Sequence, residues 1–219
     1  MKPKAVAVST GAEMRVTNSG RERAVICVNG GTRAEVPGTW SASLEWLVQR
    51  LAGRFPEVSF AEVRFRVKSW NRLDLCTADA LAAIDAAAAA GAADTRLIGF
   101  SMGGAVAVKA AAHPSVSNVI GLAPWLPDRL DLSTLDGRRL AIFHGALDRQ
   151  LAWIPGVRPA ASRRGFERAR ARGVDASYML IPGAVHGIAA RAPWGAAIPL
   201  PRAGRWAELV AAELQAWSG

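Results

Sequence analysis

Ser101 stands between glycines in Gly99-Phe100-Ser101-Met102-Gly103, where its hydroxyl could be a nucleophile if a base removed its proton. The five residues satisfy GxSxG, and their flanks carry the rest of the signal. The apolar stretch 96–100 precedes the serine as a buried strand would, and the small-residue stretch 102–112 follows as a helix. Strand, sharp turn, helix is the context that holds such a serine exposed. Side chains at positions 99 and 103 would collide with the adjoining strand and helix, so glycine there removes the clash. Gly104 and Ala105 let the helix approach the sheet closely. The turn also aims the free N–H groups and positive end of that helix at the point where an oxyanion would form.

Three histidines are available as the base. His113 precedes Pro114 at a predicted helix end, which suits a structural or helix-dipole role. His144 ends an apolar strand near the same face, but it comes only four residues before the best-placed acid. His186 lies in Pro182-Gly183-Ala184-Val185-His186-Gly187, a loop leaving the strand 177–181 at its C-terminal end. Open parallel sheets place their chemistry at that edge, which favours His186. Asp148 leaves the strand 140–144 at the same edge, whereas Asp175 precedes its strand and Asp128, Asp131 and Asp136 belong to a polar connection. The order Ser101, Asp148, His186 is therefore nucleophile, acid, base.

These residues need a sheet to position them. Short apolar runs at 14–17, 24–28, 60–66, 96–100, 118–122, 140–144 and 177–181 read as at least seven strands. Helical patterns at 42–54, 77–90, 102–112, 160–172 and 204–217 lie between and after them. The alternation predicts an α/β fold with a mostly parallel central sheet and helices on both faces. No composition break divides the 219 residues, so a single domain over 1–219 is expected.

Lys and Arg number 27 against 18 Asp and Glu, a formal charge of +9, and 51% of the residues are apolar. Clustered arginines can neutralise phosphates, but here they are spread along the chain. The densest group, Arg163, Arg164, Arg168, Arg170 and Arg172, shares one predicted helix with Phe166 and Ala169 as its buried side. A solvated helix face accounts for that group, and no nucleic-acid partner is expected. Two cysteines, Cys27 and Cys76, give no disulfide framework or metal cluster. The apolar run 5–8 is too short for a signal-peptide core and no run is long enough for a membrane span, so a cytoplasmic protein without membrane contact is expected. No metal-ligand spacing and no phosphate-cradling motif appears, which predicts no cofactor and no metal. Oligomeric state leaves no mark in the pattern.

On VNGG (28–31), GFSMGG (99–104), HGALD (144–148) and PGAVHG (182–187), which together span nearly the whole chain, the sequence resembles a compact alpha/beta-hydrolase-fold serine hydrolase. It is similar to the small carboxylesterase and dienelactone-hydrolase-like group, although dienelactone hydrolases carry cysteine where position 101 is serine. The resemblance implies a small-molecule ester as substrate and hydrolysis through an acyl-enzyme. An oxyanion hole would take one N–H from Met102, directly after the nucleophile. By resemblance to the family's HG-type turn the other would come from Gly31, with Asn29 in place of the usual histidine. Many relatives insert a helical lid after the strand that here ends near Leu122. Only 123–139 is available for one, so little or no lid and a preference for small soluble esters are expected. The stretch 187–202 is the candidate flap.

Of the eight tryptophans, Trp46, Trp206 and Trp217 fall on predicted helices and should pack. Trp40, Trp70, Trp125, Trp153 and Trp194 follow predicted strands and should rise from the edge that carries Ser101, as candidates for an aromatic-walled pocket. The same triad could serve a thioester, a small amide or acyl transfer. A hydrolase fold could also act as a non-catalytic binding module, which would give no reason to keep base and acid.

Overall fold

The computed structural model describes residues 3–149 and 156–217. Eight strands form one sheet: β1 (Ala5–Ala7), β2 (Glu13–Thr17), β3 (Arg23–Val28), β4 (Val58–Arg64), β5 (Asp94–Phe100), β6 (Val116–Leu122), β7 (Arg139–Gly145) and β8 (Asp175–Ile181). Their order across the sheet is β1, β2, β4, β3, β5, β6, β7, β8. From β4 to β8 every neighbour is parallel, and β2 runs antiparallel to both β1 and β4. The eighth strand, β1, was not among the seven expected. It is three residues long and exposed throughout, so it carries no burial pattern to read. Central β3, Arg-Ala-Val-Ile-Cys-Val, is buried from its second residue on, as a parallel strand covered on both faces must be.

Five helices cover the sheet: α1 (Ala42–Leu51), α2 (Leu73–Ala89), α3 (Gly103–Ala110), α4 (Pro159–Ala171) and α5 (Ala203–Gln215). The buried side chains divide into two clusters, one on each face. Ile26, Val28 and Leu97 point with α2 and α3 into the first; Val25, Cys27 and Ile98 point with α1 and α5 into the second. Alternation along β3 and β5 produces the division, since successive strand residues face opposite sides. Ser41 caps α1 by accepting the Leu44 N–H at 3.3 Å, and Leu44, Leu47, Val48 and Leu51 form its buried stripe.

The connection after β6 contains a single 3₁₀ turn, Ser133–Leu135, and no inserted helical cap. Arginines of α4 fasten it down. Arg168 donates to the carbonyls of Pro127 and Leu130 at 3.0 and 2.5 Å, and Arg172 pairs with Asp136 at 2.9 Å. Arg168 is thus engaged within the molecule, while Arg163, Arg164, Arg170 and Arg172 are exposed, in keeping with a solvated helix face.

The stretch 187–202, expected as a flap, contains a hairpin, Ala189–Arg191 paired with Ala197–Pro199. Ser43 Oγ in α1 accepts the N–H groups of Ile188 and Ala189 at 3.0 and 3.2 Å, and Arg191 pairs with Glu45 at 3.0 Å. Glu45 and Glu62 also grip Arg15 of β2, each at 2.8 Å, so this buried ion cluster joins hairpin, helix and sheet. Among the described residues no helix is long and apolar enough to cross a membrane.

Trp206 of α5 is the largest wholly buried side chain. Trp206→Ala should lower stability by about 3–5 kcal/mol, the range for emptying a buried aromatic site. Denaturant unfolding checks this, and a change under 1 kcal/mol would mean that α5 contributes little to the core.

Candidate active site

Ser101 follows β5 with φ at +55°, in the left-handed region that non-glycine residues rarely adopt. Such a conformation costs on the order of 1–3 kcal/mol and persists only where the surroundings impose it. They do so here. The Ser101 N–H donates to Leu122 O at 3.0 Å, and the Ser101 carbonyl accepts from Gly104 and Trp125 at 2.9 and 2.8 Å. A Cβ on Gly99 would lie 2.3 Å from Gly103 O, one on Gly103 would lie 2.3 Å from Val28 O, and one on Gly104 would lie 2.4 Å from Pro124 Cβ. Gly99 and Gly103 are therefore required by close approach of α3 to the sheet, and Gly104 by its approach to Pro124 in the connection after β6. The helix begins at Gly103 with no side-chain cap.

Asp148 and His186 arrive on the loops after β7 and β8, and backbone bonds tie the two loops together. Ala146 N–H donates to Ile181 O at 3.0 Å and Leu147 N–H to Ala184 O at 2.9 Å. Gly145 makes the crossing possible, since a Cβ there would stand 2.4 Å from Val185 O. The result is a 2.6 Å hydrogen bond from His186 Nδ1 to Asp148 Oδ2. The His186 ring packs on Phe100, beside Ser101, with centroids 5.1 Å apart. Burial by itself would raise the Asp148 carboxyl, but hydrogen bonds from His144 and His186 outweigh it and hold the group below the ordinary carboxylate range.

His144 is wholly buried and shares the Asp148 carboxylate from another side, at 2.9 Å. His113 sits far along the fold with Ser115 and Asp85 as its partners. The rival acids are likewise engaged elsewhere: Asp128 with Arg164, Asp136 with Arg172, Asp175 with Arg139, and Asp131 with the N–H of Ser133.

Ser101 opens on a cavity of about 210 Å³ whose walls are Trp70, Trp125, Ala161 and the run 156–158. Trp70 and Trp125 stack with centroids 6.0 Å apart. Two larger clefts, of about 440 and 620 Å³, contain none of the candidate residues. Trp40 is not in the wall beside Ser101: the guanidiniums of Arg15 and Arg64 lie 4.6 and 5.5 Å from its ring centroid, on the β2 and β4 side of the molecule. Nor is Trp194, which is 77% exposed in the turn between the two hairpin strands. Trp153 lies outside the described residues. Gly156, Val157, Arg158 and Ala161 were not foreseen, because they reach the cavity from the start of α4, more than 50 positions away in sequence. Among the described residues no group of three or more His, Cys, Asp or Glu could hold a metal ion.

Gly30 lies against the serine, a Cβ there being 3.2 Å from Ser101 Cβ, and Gly31 lies against Met102, where a Cβ would stand 2.2 Å from Sδ. Asn29 Oδ1 accepts the Gly30 N–H at 2.7 Å. Asn29 Nδ2 donates to Thr39 O at 3.0 Å, ten residues further along the chain.

No protein-family model and no curated protein sequence matches the chain. Solved structures do. A thermophilic esterase from the planctomycete Thermogutta terrifontis, with propionate bound, superposes with a TM-score of 0.68 at 17% identity, covering 100% of this chain and 95% of that one. A dienelactone hydrolase-like promiscuous phosphotriesterase from metagenomic libraries gives 0.67 at 16% identity, covering 96% and 95%. An alpha/beta serine hydrolase without a lid from Xanthomonas campestris gives 0.62 at 17%, covering 85% and 86%. Strand order, helix placement and these likenesses agree that the chain has the alpha/beta-hydrolase fold.

Proposed function

We propose that this protein is a serine hydrolase that cleaves small carboxylic esters through an acyl-enzyme. The observation that carries the reading is the 2.6 Å bond from His186 Nδ1 to Asp148 Oδ2, on a ring that packs against Phe100, the chain neighbour of a serine held at positive φ. Nδ1–H given to the carboxylate fixes the tautomer and leaves Nε2 free to take a proton.

Ser101 Oγ attacks the ester carbonyl as His186 Nε2 takes its proton, and Asp148 stabilises the imidazolium without being protonated itself. The N–H groups of Met102 and Gly31 hold the tetrahedral oxyanion, each contributing about 3 kcal/mol of transition-state stabilisation. Gly31 is favoured over Gly30 because the Gly30 N–H is already given to Asn29 Oδ1. His186 then protonates the departing alkoxide. A water, deprotonated by the same Nε2, attacks the acyl-enzyme and frees Ser101.

Trp70 and Trp125 supply an apolar wall for the acyl or alcohol group, and the cavity of about 210 Å³ is smaller than ordinary drug-sized sites. The short connection after β6 adds no cap over it. Both features favour short esters. The esterase and dienelactone hydrolase-like names among the structural neighbours are consistent with this chemistry.

A fluorophosphonate probe should label the peptide containing Ser101, and Ser101→Ala should abolish labelling while lowering kcat/KM by about 10³-fold or more. A variant with full activity would overturn the assignment. Asp148→Asn should cost on the order of 10³-fold in kcat, because an amide cannot hold His186 in the required tautomer. In a chain-length series, acetate and butyrate esters should exceed long-chain esters in kcat/KM; the reverse order would overturn the small-pocket reading. A matched thioester or amide turned over faster than the ester would reassign the bond while keeping the residues.

A further inference from the structure

Asp148 Oδ2 receives two imidazoles, His186 Nδ1 at 2.6 Å and His144 Nε2 at 2.9 Å. The second has no part in the mechanism above, yet it is wholly buried and every polar atom on its ring is engaged. His144 Nε2 also lies 2.8 Å from Val157 O. Carboxylate and carbonyl are both acceptors, so this nitrogen must carry the proton and divide it between them. In the neutral ring Nδ1 is then an acceptor, and Ser162 Oγ stands 2.7 Å from it. A hydroxyl has one proton, so when Ser162 gives it to this Nδ1, Pro159 O, also 3.0 Å from Ser162 Oγ, takes its hydrogen bond from Tyr178 OH at 3.1 Å. Burial pushes the Tyr178 phenol up, which keeps it protonated as a donor.

We propose that His144 is a positioning residue for the acid of this site: its Nε2–H orients the Asp148 carboxylate and, by sharing Oδ2 with His186, sets the pH at which His186 works as a base. The inference rests on the catalytic reading of Ser101, Asp148 and His186. Its physical content is a division of charge. The Nε2–H of His144 and the Nδ1–H of His186 compete for one oxygen, so Oδ2 binds the His186 proton less strongly with His144 in place than without it. The titratable and charged groups around this chain are Asp148 and His186 from the two loops, Tyr178 from β8, and Arg163 of α4, whose guanidinium lies 4.2 Å from the Tyr178 ring centroid. Gly156 closes the last side, since a Cβ there would stand 2.6 Å from Asp148 Oδ1.

The test is the pH dependence of kcat/KM for a short ester in the wild type, His144→Leu, His144→Gln and Ser162→Ala, with thermal unfolding of each. His144→Leu should lose about 10–100-fold in activity, carried by kcat, as removal of an outer partner of a reacting group does. Its acidic limb should move to higher pH by about half a unit or more. His144→Gln, which returns an N–H near the Nε2 position, should recover both the rate and the limb. Ser162→Ala should move the limb the same way by less. A folded His144→Leu with the wild-type limb overturns the proposal, as does a folded His144→Gln no better than leucine. If the leucine variant fails to fold, an unmoved limb in Ser162→Ala overturns it. The Ser101→Ala control separates the two readings: if it is inactive while these limbs stay fixed, only the role of His144 falls, and if it is active both fall.

Discussion

Everything at this site depends on how closely α3 approaches the sheet. The Ser101 backbone at +55° is tolerable only because three backbone hydrogen bonds hold it, and those bonds form only because Gly99, Gly103 and Gly104 let helix, strands and the connection after β6 come together. A methyl group at any of the three would meet another heavy atom within 2.4 Å. The same approach directs the start of α3 at the hydroxyl. Strain and helix placement are thus one constraint with two consequences.

The second constraint is the burial of Asp148. A carboxylate removed from water is costly unless hydrogen bonds replace its hydration. Two imidazoles on Oδ2 leave the group acidic in spite of its burial, although among the described residues Oδ1 has no hydrogen-bond partner. Orientation comes with the solvation, because donors from fixed strands and loops admit one rotamer. The loops that carry Asp148 and His186 are themselves joined by main-chain bonds at the ends of β7 and β8.

Charge serves the scaffold elsewhere. Arg15 and Arg191 bridge Glu45 and Glu62 to bind the hairpin after His186 onto α1 and β2. Arg168 and Arg172 bind the connection after β6 onto α4. Arg15 is buried and Arg168 half-buried, while Arg172 and Arg191 reach their partners from the surface. An excess of arginine read only as net charge says nothing of this, because each partner is many residues away.

The sequence by itself determined the strand–turn–helix around Ser101, the seven longer strands, the five helices and the order Ser101, Asp148, His186. Those features are local: an apolar period, a glycine at a turn, or a polar residue just past a strand end is visible within a few positions. Tertiary structure decided the remainder. It brought Trp70 and Trp125 together beside the serine and sent Trp40 to Arg15 and Arg64, though all three follow strands in the same way. It also placed the start of α4 in the cavity wall and made His144, held on its other nitrogen by Ser162, a second direct partner of Asp148. Side-chain direction at a loop and contact across a sheet depend on which elements pack together, so even His144 and Asp148, four residues apart, show no sign in sequence of facing each other.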